Sequence, residues 1–464
     1  DIAATDAAGG RITLGPTTTG TGNLTLAAAG LLSADTLLSA GNLDASGANI
    51  TADNISAHGN LTLDGASSTT TASGRVDISG QILGAGNVWI SGQSLSAQTV
   101  VAGIDFDATN AAGGNIVLGQ AGDLTIAVNG AVTAPTIQAA GVIDISGASV
   151  AADAITGHKD LTLSSTAAAG VDVTRQVLGG GSVDISGASI KAGTIVSGVD
   201  FARTAAANGT IVQTTSGDVS LTSSGKIDAG TLLSAGDLSA AGSTISADSV
   251  TAHGDITVDG ATTVAGQILG AGNVLITGQS LSAQTVVAGI DFDATNAASG
   301  NIVLGQAGDL TIAVNGALAA PTLQAAGAID AHAASISANA VTGHKGITLS
   351  GATGGVDING QVLGGGDISV AGSSIKAGTI VSGVDFAATA AADGNIVLAS
   401  SGGLNLASTG NINTATLLSA GDLKAAGSTV TANAVTAHGA VTLDGATTVN
   451  GQILGAGNVL ITGQ

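Results

Sequence analysis

The sequence predicts an all-β protein, a right-handed parallel β-helix (β-solenoid) of about 25 rungs, each with about 18–19 residues and three short strands. Three observations carry that expectation. Strong polar helix formers are scarce, a short motif recurs at a nearly constant interval, and the apolar positions inside each interval are spaced as in strands.

All 32 acidic residues are Asp and none is Glu, while Lys and Arg together number only 10. This leaves little to stabilise a long helix. Hydrophobic residues make up 44% of the chain but aromatics only 1%, so any core must be built from Ala, Val, Ile and Leu. A net charge of −22 repels phosphate backbones, and no Lys/Arg cluster opposes it, so nucleic acid is not an expected partner. No run of about 18 apolar residues occurs, hence no membrane-spanning helix is expected. With no Cys and no Met, disulfides and thiolate chemistry are excluded.

The repeats come in three sizes. The segment GQILGAGNV begins at Gly80, Gly266 and Gly451, defining tandem blocks of roughly 186 residues, 80–265 and 266–450, a self-similarity that marks repeat architectures. RQVLGGGSV from Arg175 and GQVLGGGDI from Gly360 mark a half-period, so each block comprises two half-units of five rungs. The smallest repeat is a Gly, then Asn or Asp, then an apolar residue, as in GNLTL at Gly22, GNLDA at Gly41 and GNLTL at Gly59. Its apolar member sets a register that runs from Leu24 and Leu43 through Val88, Phe106 and Leu124 to Val441 and Val459. The steps are nearly uniform except at Leu61–Val88, Leu161–Val183 and Ile347–Ile368, where extra residues are read as turn insertions. Ile2 is counted as an irregular first member.

Within one repeat the apolar positions fall as in Ile143, Ile145, Val150 and Ile155, with small or polar residues between. Such short strands cannot bury an apolar face alone, but stacking each repeat on the next does. At about 4.8 Å per rung, 25 rungs would form a rod of roughly 120 Å. Residues 1–464 are read as one continuous segment and as a piece of a longer filament.

Few residues invite a chemical role. His58, His158, His253, His344 and His438 each precede a register position by three residues and are five rungs apart, too far to share a metal. They are read as turn residues. His332 lies elsewhere, with no Cys, Glu or second His at ligand spacing. Phe106, Phe201, Phe292 and Phe386 occupy register positions held elsewhere by Leu, Ile or Val and are read as core fillers rather than sugar platforms. Trp89, one place later, is expected to point outward. Asp105 and Asp107, like Asp291 and Asp293, flank a Phe and would share a strand face, offering a weak calcium site. Ala202 and Ala387 replace the second Asp in the other copies, so most Asp residues are read as solvated turns. No other cofactor is expected. A polysaccharide-degrading β-helix enzyme would need a cleft of carboxylates, bases and aromatic platforms, which this composition does not supply, so no enzyme is expected. An ice-binding face is disfavoured because Asp44 and Trp89 interrupt the Thr25 and Thr62 row.

Stretches such as GNLDASGANITADNISAHGNLTLDG, from Gly41 to Gly65, resemble the repeat regions of filamentous haemagglutinin-type exoproteins of the two-partner secretion pathway. The likeness covers essentially the whole chain, and autotransporter passengers carry similar β-helices. It implies export through an outer-membrane partner transporter and service at the bacterial cell surface or outside the cell. The expected role is a spacer or scaffold in a secreted or surface-attached adhesin for cell–cell or biofilm-matrix attachment. The stalk of a contact-dependent toxin-delivery exoprotein is the alternative. Exopolysaccharide or cell-surface receptors would be the partners, and unpaired strand edges would permit end-to-end or lateral self-association.

Overall fold

The computed structural model describes residues 22–65, 74–298, 301–392 and 395–463. The protein is all-β, with 62% of residues in strands and 6% in helices, and its parallel stacked coils form a β-solenoid of about 22 turns. It divides into two compact units, Asp1–Ala235 and Gly236–Gln464.

One turn of the first unit shows how the sequence dictates the wall. Strands Leu124–Val128, Ala131–Thr133 and Thr136–Ala139 lie beneath Ile143–Gly147 and Ser149–Gly157, paired in parallel. Leu124 sits on Ile143, Val132 on Val150 and Ile137 on Ile155, so like stacks on like. Ile143, Ile145, Val150 and Ile155 point inward and are at most 1% exposed, as the strand alternation requires. The second unit repeats this arrangement, with Leu310 on Ile329, Leu318 on Ile336 and Leu323 on Val341. A lone turn would bury four such side chains against the ordering entropy of its whole length of chain, so its stability comes from its neighbours.

The Gly–Asn/Asp–apolar motif has a cause that its periodicity does not reveal. The side-chain oxygen of each Asn or Asp accepts the backbone N–H of the corresponding residue one turn later. In the first unit Asn23 receives the Asn42 amide, Asn42 the Asn60 amide, Asn60 the Asn87 amide and Asn87 the Asp123 amide, all at 2.9 Å. In the second unit Asp237, Asp255 and Asn273 continue the pattern, receiving the amides of Asp255, Asn273 and Asp309 at 2.7–2.9 Å. The glycine is required because that oxygen occupies the place where its Cβ would stand. A side chain at Gly59 would collide with Asn42 Oδ1, at Gly141 with Asp123 Oδ1, and at Gly272 with Asp255 Oδ1. These exposed Asp residues are therefore ladder rungs as well as solvated turn residues.

The expected count of 25 rungs is too high, because the four Phe segments are not turns. Val88 pairs directly with Leu124, Val183 with Val219, Val274 with Leu310 and Ile368 with Leu404, skipping the intervening Phe in each case. Each Phe instead begins a six-residue helix: α1 Phe106–Ala111, α2 Phe201–Ala206, α3 Phe292–Ala297 and α4 Phe386–Ala391. All four Phe side chains are half-buried rather than in the core, which corrects their reading as core fillers. Ile2 lies outside the described residues, as do residues 66–73 of the Leu61–Val88 insertion.

Candidate functional site: four helical knobs

Each helix belongs to a loop that leaves the wall after the third strand of a turn and returns for the first strand of the next. In the first knob the chain turns off at Gly103, whose φ of +72° favours glycine, and returns at Gly122. A Cβ at Gly122 would strike the Gly103 backbone, so the neck of the loop closes only around two glycines. Ile104 and Leu118 form an antiparallel bridge at the neck. Asp105 caps α1, its Oδ1 accepting the Ala108 N–H at 2.9 Å. Thr109 Oγ1 accepts the Val117 N–H at 3.0 Å, and Asn115 Nδ2 donates to the Ala112 carbonyl at 3.0 Å.

The other knobs are built to the same plan. Asp200, Asp291 and Asp385 cap their helices at 2.9–3.0 Å, and Thr204, Thr295 and Thr389 each receive a valine N–H at 3.0 Å. Beneath α2 the buried Leu178, Val196 and Val199 form an apolar floor against which Phe201, Ile211 and Leu233 pack. Leu178 and Val196 stand in the outward-facing row that elsewhere holds Gln138 and Thr156, so the wall is apolar where a knob covers it. In the knobs that begin GVDF, buried serines anchor the neck. Ser197 and Ser234 both donate to the Gly217 carbonyl, at 2.6 and 3.1 Å, and Ser382 and Ser419 both donate to Gly402 at 2.9 Å.

The recurring histidines and phenylalanines, read separately in the sequence, meet here. His58 stacks on Phe106 with ring centroids 4.4 Å apart, His158 on Phe201 at 4.2 Å, His253 on Phe292 at 4.7 Å and His344 on Phe386 at 4.4 Å. Interplanar angles of 8–26° make all four parallel stacks. Each histidine is thus a docking post for a knob, beyond the turn role expected of it. Burial lowers the pKa of His58, His158 and His344, and the neighbouring Asp107 carboxylate partly opposes this at His58. His438 has the same sequence position but is exposed, and His332 pairs instead with Asp330, Nε2 to Oδ1 at 2.8 Å. The stretch of chain between each His and its Phe varies in length from knob to knob and gave no direct signal of the contact.

The weak calcium candidates lose their geometric premise. Asp105 and Asp291 cap helices while Asp107 and Asp293 lie in the first turn, so strand alternation does not bring either pair onto one face. Among the described residues no group of three or more His, Asp or Glu side chains is placed to hold a metal. Trp89 points outward, 44% exposed, between Thr62 and Thr125, and its counterpart Leu275 is 37% exposed. A concavity of about 580 Å³ in the second unit is lined by Ser, Gly, Ala and Thr with one carboxylate, Asp444, an arrangement that supplies no acid/base pair. Among the described residues no helix is long and apolar enough to cross a membrane. Comparison with protein-family models, curated proteins and solved structures gave no match.

Proposed function

We propose that this chain serves as an extended spacer and scaffold in a secreted or surface-attached bacterial adhesin, holding binding modules away from a cell or within a biofilm matrix. The observation that carries this reading is the in-register stacking of like on like, turn after turn within each unit, from blocks of similar sequence. A stack of this kind converts added repeats directly into added reach. The acidic surface, with a net charge of −22, favours a soluble and well-separated filament. Knobs docked at intervals along the wall give the scaffold local relief without interrupting its pairing. Delivery through an outer-membrane transporter, and exopolysaccharide or a surface receptor as the ultimate partner, follow from the family resemblance and belong to the same proposal.

Electron microscopy of the purified chain tests the mechanical part. Stiff particles with a length of about 4.8 Å per turn, roughly 100 Å in all, are expected; globular particles would remove the spacer reading.

A further inference from the structure

The second unit carries a polar recess that the preceding sequence block helps to interpret. A cavity of about 260 Å³ lies at one corner of the wall, where Asn359, Lys376, Asn413 and Asn433 come together with Thr414 and Thr431. Lys376, Asn413 and Thr431 stack in register on three consecutive turns, so the recess runs along the direction of stacking. Lys376 Nζ is already engaged, lying 3.1 and 3.2 Å from the two Asp357 carboxylate oxygens and 3.2 Å from Asn359 Oδ1. The recess therefore carries side-chain amides, hydroxyls and one neutralised ion pair, and no free charge.

The equivalent residues of the preceding sequence block are Thr174, Lys191, Asp228, Ala229, Ser246 and Asp248. Asn413 thus stands where the earlier copy has Asp228, and Asn433 where it has Asp248. Both changes remove a carboxylate and install a group that donates as well as accepts. Thr414 stands where the earlier copy has Ala229; it is 4% exposed and its hydroxyl has no hydrogen-bond partner. Stacking does not require these exchanges, since Ala and Asp serve at the same positions one block earlier.

We propose that this recess binds a neutral polyhydroxylated ligand, a saccharide chain lying along the stacking direction. Amides and hydroxyls match sugar hydroxyls, which both donate and accept. A uronate or sulfate would find the Lys376 ammonium already occupied by Asp357, in the field of a strongly acidic protein. A metal ion would find a single carboxylate, itself paired. The proposal rests on the adhesive side of the function proposed above and names its ligand class, placing adhesion on the wall itself.

Saturation-transfer NMR on the full chain, with neutral and uronate-bearing short oligosaccharides as probes, tests it. Neutral probes are expected to receive saturation. The Asn413→Asp/Asn433→Asp variant, which restores residues the earlier copy already folds with, is expected to bind about tenfold more weakly. Asn359→Thr, restoring the residue of the earlier copy, provides a second variant should the first unfold, and it too is expected to weaken binding. Saturation of uronate probes only, no saturation of any probe, or undiminished binding by a folded variant would overturn the proposal. Any of these leaves the spacer reading standing, whereas globular particles in the microscope would remove that reading whatever binds here.

Discussion

The wall and the knobs use one residue type in two ways. Asp123 belongs to the wall, and its Oδ1 accepts the Val142 N–H, one turn away, at 2.8 Å. Asp105 starts a knob, and its Oδ1 accepts the Ala108 N–H, three residues away, at 2.9 Å. Both are followed by a large apolar residue, Leu124 in the wall and Phe106 in the knob. What differs is the residue before the aspartate, Gly122 in the wall but Ile104, Val199, Ile290 or Val384 in the knobs. In the wall Leu124 is followed two residues later by Ile126, fully buried beside it, and the chain runs on as a strand. After each Phe an Ala-rich segment closes into a helical turn. The same carboxylate therefore ties successive turns together in one region and only its own helix in the other.

The sharpest way to break this comparison is to remove an apolar side chain from each region. Ile145→Ala opens a cavity in the stacked core and is expected to cost about 2–5 kcal/mol in denaturant unfolding of the first unit. Phe106→Ala removes a half-buried ring whose partner is His58, and is expected to shift that unfolding by only about 1 kcal/mol or less while exposing residues 106–118 to protease. Equal shifts for the two variants would mean that the knob is an integral part of the wall.

The two aspartates sharpen the point at smaller scale. Asp123→Ala deletes a bond between turns and is expected to destabilise the first unit globally by about 1 kcal/mol. Asp105→Ala deletes a helix cap, expected to be worth about 0.5–2 kcal/mol locally. Hydrogen exchange separates them. Asp105→Ala should speed exchange at the Ala108 amide alone, whereas Asp123→Ala should loosen amides on both neighbouring turns. A global effect from Asp105→Ala would contradict a purely local cap.

These contrasts show which parts of the molecule the sequence could reveal. Stacking repeats a residue type at each equivalent position, so Ile143, Ile145, Val150 and Ile155 announced the core through spacing alone. The ladder was visible as a recurring Gly–Asn/Asp pair, but its mechanism was not, because the oxygen and the amide that it joins lie on successive turns. The knobs were concealed by their length. The step from Phe106 to Leu124 equals the interval of one turn, so an excursion counted as a rung. Arg203, two residues after Phe201 where the wall keeps an apolar residue, was one local sign of the error. The pairing of His58 with Phe106 left no mark beyond the parallel recurrence of both residues. The recess around Lys376 needed the fold to bring positions from four turns to one corner; only then did the differences between the two copies acquire a common location.

The smallest expected effect concerns proton binding at the docking posts. His58, His158 and His344 have folded-state pKa values lowered by burial against the knobs, so each docked ring favours its neutral form. Below about 6.5, the ordinary histidine value, an undocked imidazole takes up a proton that the docked one does not. Knob docking is therefore fully present above that pH, weakens as pH falls from it, and stops changing once pH lies below the folded pKa. Opposing this is the attraction between an imidazolium and the face of the stacked Phe, of order 0.5–1 kcal/mol at exposed sites. Because these histidines are only half-buried, the two effects are comparable, and the sign of the net result distinguishes them. Protease protection of residues 106–118 that declines from pH 7.5 to pH 5.5, and becomes independent of pH in His58→Gln, would show desolvation dominant at the first knob. Protection that rises on acidification would instead make the His–Phe stack a cation–π clasp that tightens as it takes up a proton.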